Sequence, residues 1–451
     1  TDLSVCASPQ SNADVLASTA DQPFGGLYAS PATLDIPNPC SPADPDIVTA
    51  LLSNLRCPLA SRPGYIDEAQ MTTTYLPTLT SRVAGAQRLQ SSQRRSSVST
   101  ACDLNVADMQ LSVCMRLGEG GFGSVFLAQD MNESVPLAGE TTASYEDVDA
   151  DDVDELERRQ MLALKIESPP NPWEFYILDE LRRRLPAPLQ ASVVGARRFV
   201  ACANESLLLL EYASKGTLLE LVNHASTAGV GNVLGHGGGV EEVLAMFFVI
   251  ELCRVVEGMH NAGLLHGDLK IDNCMIRADD VDEWTSTYAA DGSGGWSAKG
   301  VTLIDFGRAV DMRCFVAEQR FLADWQPGAQ DCVEMREMRP WTYQADYYGL
   351  ASIAYCLLFG KYMETTSYVN EDGQKTYKIQ QTLRRYWQTD LWTRFFDLLL
   401  NPTHAPMWPV TPLLAELRHD MEVWLAAHSF HAGKNLKGLL KKVEIWALRH
   451  A

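Results

Sequence analysis

The residues best suited to chemistry lie in His266-Gly267-Asp268-Leu269-Lys270-Ile271-Asp272-Asn273, followed 32 residues after the Asn by Asp305-Phe306-Gly307. An Asp, a Lys two positions on and an Asn five positions on suit the attack of a hydroxyl on a phosphoryl group. Asp268 is placed to orient the hydroxyl and take its proton, while Lys270 balances charge growing on the phosphoryl oxygens. Asn273 and Asp305 offer the hard oxygen donors that Mg²⁺ prefers, and that ion needs few protein ligands because it keeps waters and binds phosphate. The apolar run Val301-Thr302-Leu303-Ile304 predicts a short buried strand that holds Asp305 rigid.

The elements that must position this loop begin upstream. Gly118-Glu119-Gly120-Gly121-Phe122-Gly123-Ser124-Val125 fits G-x-G-x-x-G-x-V between two apolar stretches. Gly118, Gly120, Gly121 and Gly123 let a hairpin turn bring its N–H groups to phosphate oxygens, and Val125 is placed to cover a purine. On the next predicted strand, Met161 to Lys165, Lys165 is the expected clamp for the α- and β-phosphates, and Ala163 joins the purine pocket. Asn171-Pro172-Trp173-Glu174 starts a helix with Pro in its first turn, and Glu174 is the expected partner of Lys165. Leu207 to Ala213 predicts a buried strand running into a hinge, with Leu210 guarding the back pocket and Glu211 and Ala213 presenting backbone to adenine. ATP and Mg²⁺ are the cofactors this set calls for.

Composition narrows the class. The chain has 451 residues, 46% apolar, enough for one large core or two modest ones. A formal charge of -20 argues against sequence-specific nucleic-acid binding, which needs clustered Lys and Arg; a chromatin partner is expected to be met through basic protein. Eleven scattered cysteines without a Cys-x-x-Cys pair suit a reducing compartment. No apolar run reaches 18 residues, so no membrane association is expected.

The expected organisation is a flexible tail over 1–44, an N-terminal extension and linker over 45–108, a small β-rich lobe over 109–213 and a larger helical lobe over 214–451. In the extension, residues 46–55 show helical periodicity. An acidic insertion at 133–157, with ten Asp or Glu and no Lys or Arg, explains why Lys165 follows Gly123 by 42 residues. A second, polar and Gly-rich insertion between 277 and 300 is expected at the surface. Between Phe306 and Glu334 there is no Ser, Thr or Tyr, and Gly267 stands where many protein kinases carry an Arg that receives a phosphate. The segment after Asp305 is therefore expected to be ordered without phosphorylation, by packing of Phe315, Phe321 and Trp325. Asp346 is expected to cap backbone amides of the catalytic loop.

Asn171-Pro172-Trp173-Glu174-Phe175-Tyr176-Ile177, the His266-Gly267-Asp268 form of the catalytic motif, Gln330-Asp331-Cys332-Val333-Glu334-Met335 and Arg339-Pro340-Trp341-Thr342-Tyr343-Gln344-Ala345-Asp346 together resemble the Bub family of mitotic spindle-checkpoint kinases. The resemblance covers roughly residues 40–451. It implies an α+β, bilobal protein kinase fold with the N-terminal extension packed on the small lobe. It implies a nuclear serine/threonine kinase that acts at kinetochores and centromeres in mitosis and is cytoplasmic between, phosphorylating a histone tail and meeting other checkpoint proteins through regions outside this chain. Lys165, Glu174, Asp268, Asn273 and Asp305 fall on the matching family positions. The alternative, also found within that family, is a catalytically weak scaffold. The chain departs from the family in having no phosphorylatable residue in the substrate-docking loop, where Asp324 supplies a fixed negative charge.

Overall fold

The computed structural model describes residues 35–92, 102–121, 123–132, 161–232, 238–431 and 434–450. The tail before residue 35, the acidic insertion at 133–157 and Phe122 of the Gly-rich turn lie outside the described residues. In the small lobe, β1 (Tyr65–Glu68), β2 (Cys102–Val106), β3 (Met109–Glu119), β4 (Gly123–Asp130), β5 (Met161–Glu167), β6 (Ala196–Cys202) and β7 (Ser206–Glu211) form one sheet, ordered β1-β6-β7-β5-β4-β3-β2. All neighbours are antiparallel except β1 and β6, which run parallel. Strand β2 falls in the stretch expected to be linker. Its alternation explains the difference, since Cys102, Leu104 and Val106 are buried while Asp103 and Asn105 face water.

The extension packs on this lobe, as expected. Helix α1 (Pro45–Ser53) starts where the Asp44 carboxylate accepts the N–H groups of Asp46 and Ile47, and it buries Leu51. Helix α2 (Tyr75–Ser92) crosses β2 to β5, and its Leu79 and Val83 join Val113, Phe126 and Leu164 in one core. The start of α2 is fixed from the sheet, because the Glu205 carboxylate accepts from the Thr73 hydroxyl at 2.8 Å and the Tyr75 N–H at 2.9 Å. The tail boundary expected at residue 44 is too late. Residues 35–44 are placed, and Cys40 is buried, because the segment adds a strand bridge to Phe321 in the large lobe.

Helix α3 (Pro172–Arg184) lies under the sheet. It buries Trp173, Phe175, Tyr176, Ile177 and Leu178, with Glu174 and Glu180 among them. In the large lobe, α4 (Leu218–Asn223), α5 (Glu242–Asn261), α6 (Gln344–Phe359), α7 (Thr389–Leu400), α8 (Thr411–His428) and α9 (Leu436–His450) surround a core built on α5, which is buried nearly all round. The lobe's cleft side carries the short strands β8 (Leu264–Leu265), β9 (Cys274–Ala278), β10 (Lys299–Leu303) and β11 (Val310–Asp311). The insertion after β9 is anchored and not merely superficial, since Tyr288 and Trp296 are buried edge-on against Phe247 of α5. No helix among the described residues is long and apolar enough to cross a membrane.

One buried arginine ties the extension to α3. Arg62 Nη1 lies 2.6 Å from Asp179 and 2.8 Å from Glu180, with the guanidinium 4.8 Å above the Tyr176 ring. Burial opposes the Arg62 charge, but Glu180 and Asp179 outweigh it and hold its pKa up. Arg62→Ala leaves the α3 carboxylates short of a cation inside the protein, so it should destabilise the fold by roughly 3 kcal/mol. Chemical denaturation reads this directly; an unchanged midpoint would show that the pair contributes nothing net.

Candidate active site

The site is assembled around the ammonium of Lys165. In the sheet, Lys165 pairs with Val125 on one side and Leu208 on the other, which fixes its position in the middle of the sheet. Its Nζ lies 2.6 Å from Glu174 Oε2, 3.0 Å from Asp305 Oδ1 and 3.6 Å from Glu167 Oε1. Glu174 is fully buried in the first turn of α3, and its other oxygen accepts the Phe306 N–H at 3.2 Å. One carboxylate thus joins strand, helix and the Asp-Phe-Gly turn. Burial disfavours the Lys165 charge, but Glu174, Asp305 and Glu167 outweigh that cost and hold its pKa above the ordinary lysine value. Burial likewise works against the Asp305 carboxylate, and Lys165 overcomes it, so its pKa is lowered. Asp305 adopts φ 64°, a left-handed conformation that costs a non-glycine residue about 1 kcal/mol or more.

On the facing lobe, Asp268 lies 2.8 Å from Lys270 Nζ. Asn273 donates its amide N–H to the Asp268 carbonyl at 3.0 Å, leaving its amide oxygen as a donor for a cation. The loop is held from beneath by Asp346, which is buried and accepts the His266 and Gly267 N–H groups at 2.9 Å each and faces His260 Nε2 at 3.0 Å. Burial pushes the Asp346 carboxyl up, but these partners, His260 foremost, outweigh it and lower its pKa. His266 stands against the Phe306 ring, 4.6 Å between centroids.

Gly267 has φ 75°, and a Cβ there would collide with the Arg308 carbonyl. No larger residue fits this path of the loop. Arg308 instead reaches the catalytic loop from the other side, with Nη1 4.0 Å from Asp268 Oδ1 and its guanidinium 4.6 Å above the Trp325 ring.

The segment after Asp305 is fastened at three levels. Near its start, the Trp173 indole donates to the Ala309 carbonyl at 2.8 Å, while Tyr176 and Arg184 both bind the Asp311 carboxylate, the arginine at 2.9 and 2.6 Å. Further on, Phe315 and Phe321 are buried edge to face at 5.1 Å, and Phe321 meets Trp341 at 5.5 Å. Outermost, residues 37–40 lie along it. Leu322 N–H donates to the Cys40 carbonyl at 2.8 Å, Arg320 N–H to Asn38 Oδ1 at 3.0 Å, and the Gln319 amide to the Pro37 carbonyl at 2.9 Å.

On the purine side, Ala163 and Leu210 are register partners, and the Glu211 N–H is taken by the Gly195 carbonyl at 2.9 Å as the chain leaves β7 toward Ala213 and α4. The Gly-rich turn closes with Gly120 N–H donating to Gly123 C=O at 2.9 Å. Gly123 has no room for a Cβ beneath the Ile166 carbonyl, whereas Gly118 and Gly121 stand open. The structure joins Lys165, Glu174 and Asp305 through ion pairs and Asp268, Lys270 and Asn273 through contacts within one loop, with Val125 beside Lys165 and Ala163 beside Leu210 in the sheet. Sequence reasoning missed Glu167, which shares a strand face with Lys165, and Arg308, Asp311 and Arg62, whose partners are remote in the chain.

The profile of the protein kinase domain matches residues 111–399. The chain belongs to the protein kinase family. It is 41% identical over 342 residues to the spindle assembly checkpoint serine/threonine-protein kinase bub1 of Schizosaccharomyces pombe, covering 74% of this chain and 31% of that protein. It is 36% identical over 330 residues to the corresponding BUB1 of Saccharomyces cerevisiae, covering 72% of this chain and 29% of that one. The crystal structure of the BubR1 kinase domain has the same fold, with a TM-score of 0.63 at 22% identity, over 90% of this chain and 99% of that one. The chain is thus a Bub1-type kinase domain with its extension, spanning about 30% of the length of these two yeast relatives.

Asp346 gives the site a pH signature. Its pKa is lowered in the folded protein, so its stabilising effect is present above the unfolded value near about 3.9 and is lost as pH falls through the folded value. Asp346→Asn should cost roughly 2 kcal/mol at neutral pH, because one loop N–H loses its acceptor, and the gap to the unaltered chain should narrow below about pH 4. Denaturant melts at pH 7 and pH 3.5 measure both; a gap independent of pH would refute the assignment.

Proposed function

We propose that this chain is an ATP- and Mg²⁺-dependent serine/threonine kinase of the mitotic spindle checkpoint. The observation that carries the reading is the placement of Lys165 between Glu174 and Asp305, across the cleft from Asp268, Lys270 and Asn273. Checkpoint function is supported by the names of its yeast relatives. A basic protein tail, specifically that of a histone in the nucleosome, is the substrate proposed from the family resemblance, met at kinetochores in the nucleus by an acidic chain of charge -20.

In this reading Val125, Ala163 and Leu210 enclose the adenine, and the backbone at Glu211 and Ala213 binds its edge. Gly118 to Gly123 cover the phosphates, and Lys165, set by Glu174, holds the α- and β-phosphates. The amide oxygen of Asn273 and the carboxylate of Asp305 fit Mg²⁺, being hard oxygens on side chains oriented by the Asp268 carbonyl and by Lys165. When bound, that ion neutralises charge on the phosphates. Asp268 accepts the proton of the attacking hydroxyl, and Lys270, 2.8 Å away, stabilises the phosphoryl oxygens.

Transfer of labelled phosphate from ATP to nucleosomes and free histones tests the proposal. Asp268→Asn should lower kcat by about 10²- to 10⁴-fold with ATP binding retained. Transfer by neither chain despite nucleotide binding would contradict the proposal.

A further inference from the structure

Three carboxylates crowd Lys165, and the chemistry above uses two. The third, Glu167, ends β5 two residues after Lys165 on the same face of the strand. Its Oε1 is 3.6 Å from Lys165 Nζ, and the residue is buried. It lies directly beneath the Gly-rich turn, since Gly123 is its register partner, and a Cβ on Gly123 would come within 3.0 Å of Glu167 Cα and Cγ. The Asn171 side chain hydrogen-bonds the carboxylate. The charged groups that face it are Lys165 from its own strand, Glu174 from α3 and Asp305 from the turn after β10. Burial pushes the Glu167 carboxyl up to about 7, with Lys165 pulling the other way.

We infer that Glu167 is a positioning residue that sets how readily Lys165 is given over to nucleotide phosphates. The inference rests on the reading of Lys165 as the phosphate clamp. One ammonium faces three carboxylates, so the cluster carries excess negative charge where the phosphates must enter. Glu174 also binds the Phe306 N–H, and Asp305 is placed to meet a cation. Among the described residues, the Glu167 carboxylate has as partners only Lys165 and the neutral Asn171. Its charge therefore weakens the site for phosphate-bearing ligands, and it competes with them for the same ammonium.

The test compares the unaltered chain, Glu167→Gln and Glu167→Asp at pH 8, measuring binding of Mg²⁺-ATP and of adenosine by calorimetry. Removing one charge this close to the clamp should tighten Mg²⁺-ATP binding by about threefold to tenfold after solvent screening. Adenosine, which carries no phosphate, should bind the two chains equally. KM for ATP should fall with the ATP dissociation constant while kcat stays near its original value, and Glu167→Asp should behave like the unaltered chain. Because burial raises the Glu167 carboxyl, the difference between Glu167→Gln and the unaltered chain should narrow as pH is lowered from 8 toward 6. Equal ATP binding by both chains at pH 8 would overturn the inference, as would adenosine shifting as much as ATP, which marks a change of shape. Because binding is read apart from transfer, a chain that binds Mg²⁺-ATP without phosphorylating protein still decides this inference while refuting the kinase reading.

Discussion

The contact on which the site depends is the buried ion pair between Lys165 and Glu174 at 2.6 Å. It cannot form unless α3 stands at one distance from the sheet, because Glu174 is rooted in the first turn of that helix and is fully out of water. A pair so buried loses far more if one partner is displaced than it gains by forming. The position of α3 is therefore the variable that the rest of the molecule must set.

Two bodies set it. From the extension, Arg62 grips Asp179 and Glu180. From the segment after Asp305, Asp311 binds Arg184 and Tyr176, and Ala309 binds Trp173. Arg184 also pairs with Glu180 at 2.7 Å, so the extension and the segment meet through one continuous row of charges along α3. Many kinases order this segment by phosphorylating one of its hydroxyl residues, whose phosphate then pairs with an arginine of the catalytic loop. Here Gly267 leaves no side chain at that point, and residues 306–334 contain no hydroxyl to phosphorylate. In this structure the segment is held by packing of Phe315 and Phe321, the Arg308–Trp325 contact and the strand bridge from Cys40.

The catalytic loop, the Asp-Phe-Gly turn and the Lys165–Glu174 pairing were legible in the sequence because the chemistry dictates residue types at short spacings. The strand periods on either side of residues 133–157 remained readable despite that insertion. What escaped was set by contacts without local pattern. Arg62 finds Asp179 across 117 residues, and Gln319 finds Pro37 across 282. A short segment with three Pro ahead of residue 44 looks like a tail until the edge it pairs with is known. Glu167 was hidden differently, since a Glu at a strand end ordinarily points to water, and only the register with Gly123 shows that it is enclosed.

The most direct test of the account is the phosphotransfer rate of the chain after exhaustive phosphatase treatment, with mass spectrometry to show that no phosphate remains. If packing alone orders the segment, the treated and untreated proteins will transfer phosphate from ATP to a protein substrate at the same initial rate. A treated protein that is inactive until it is rephosphorylated would contradict the account.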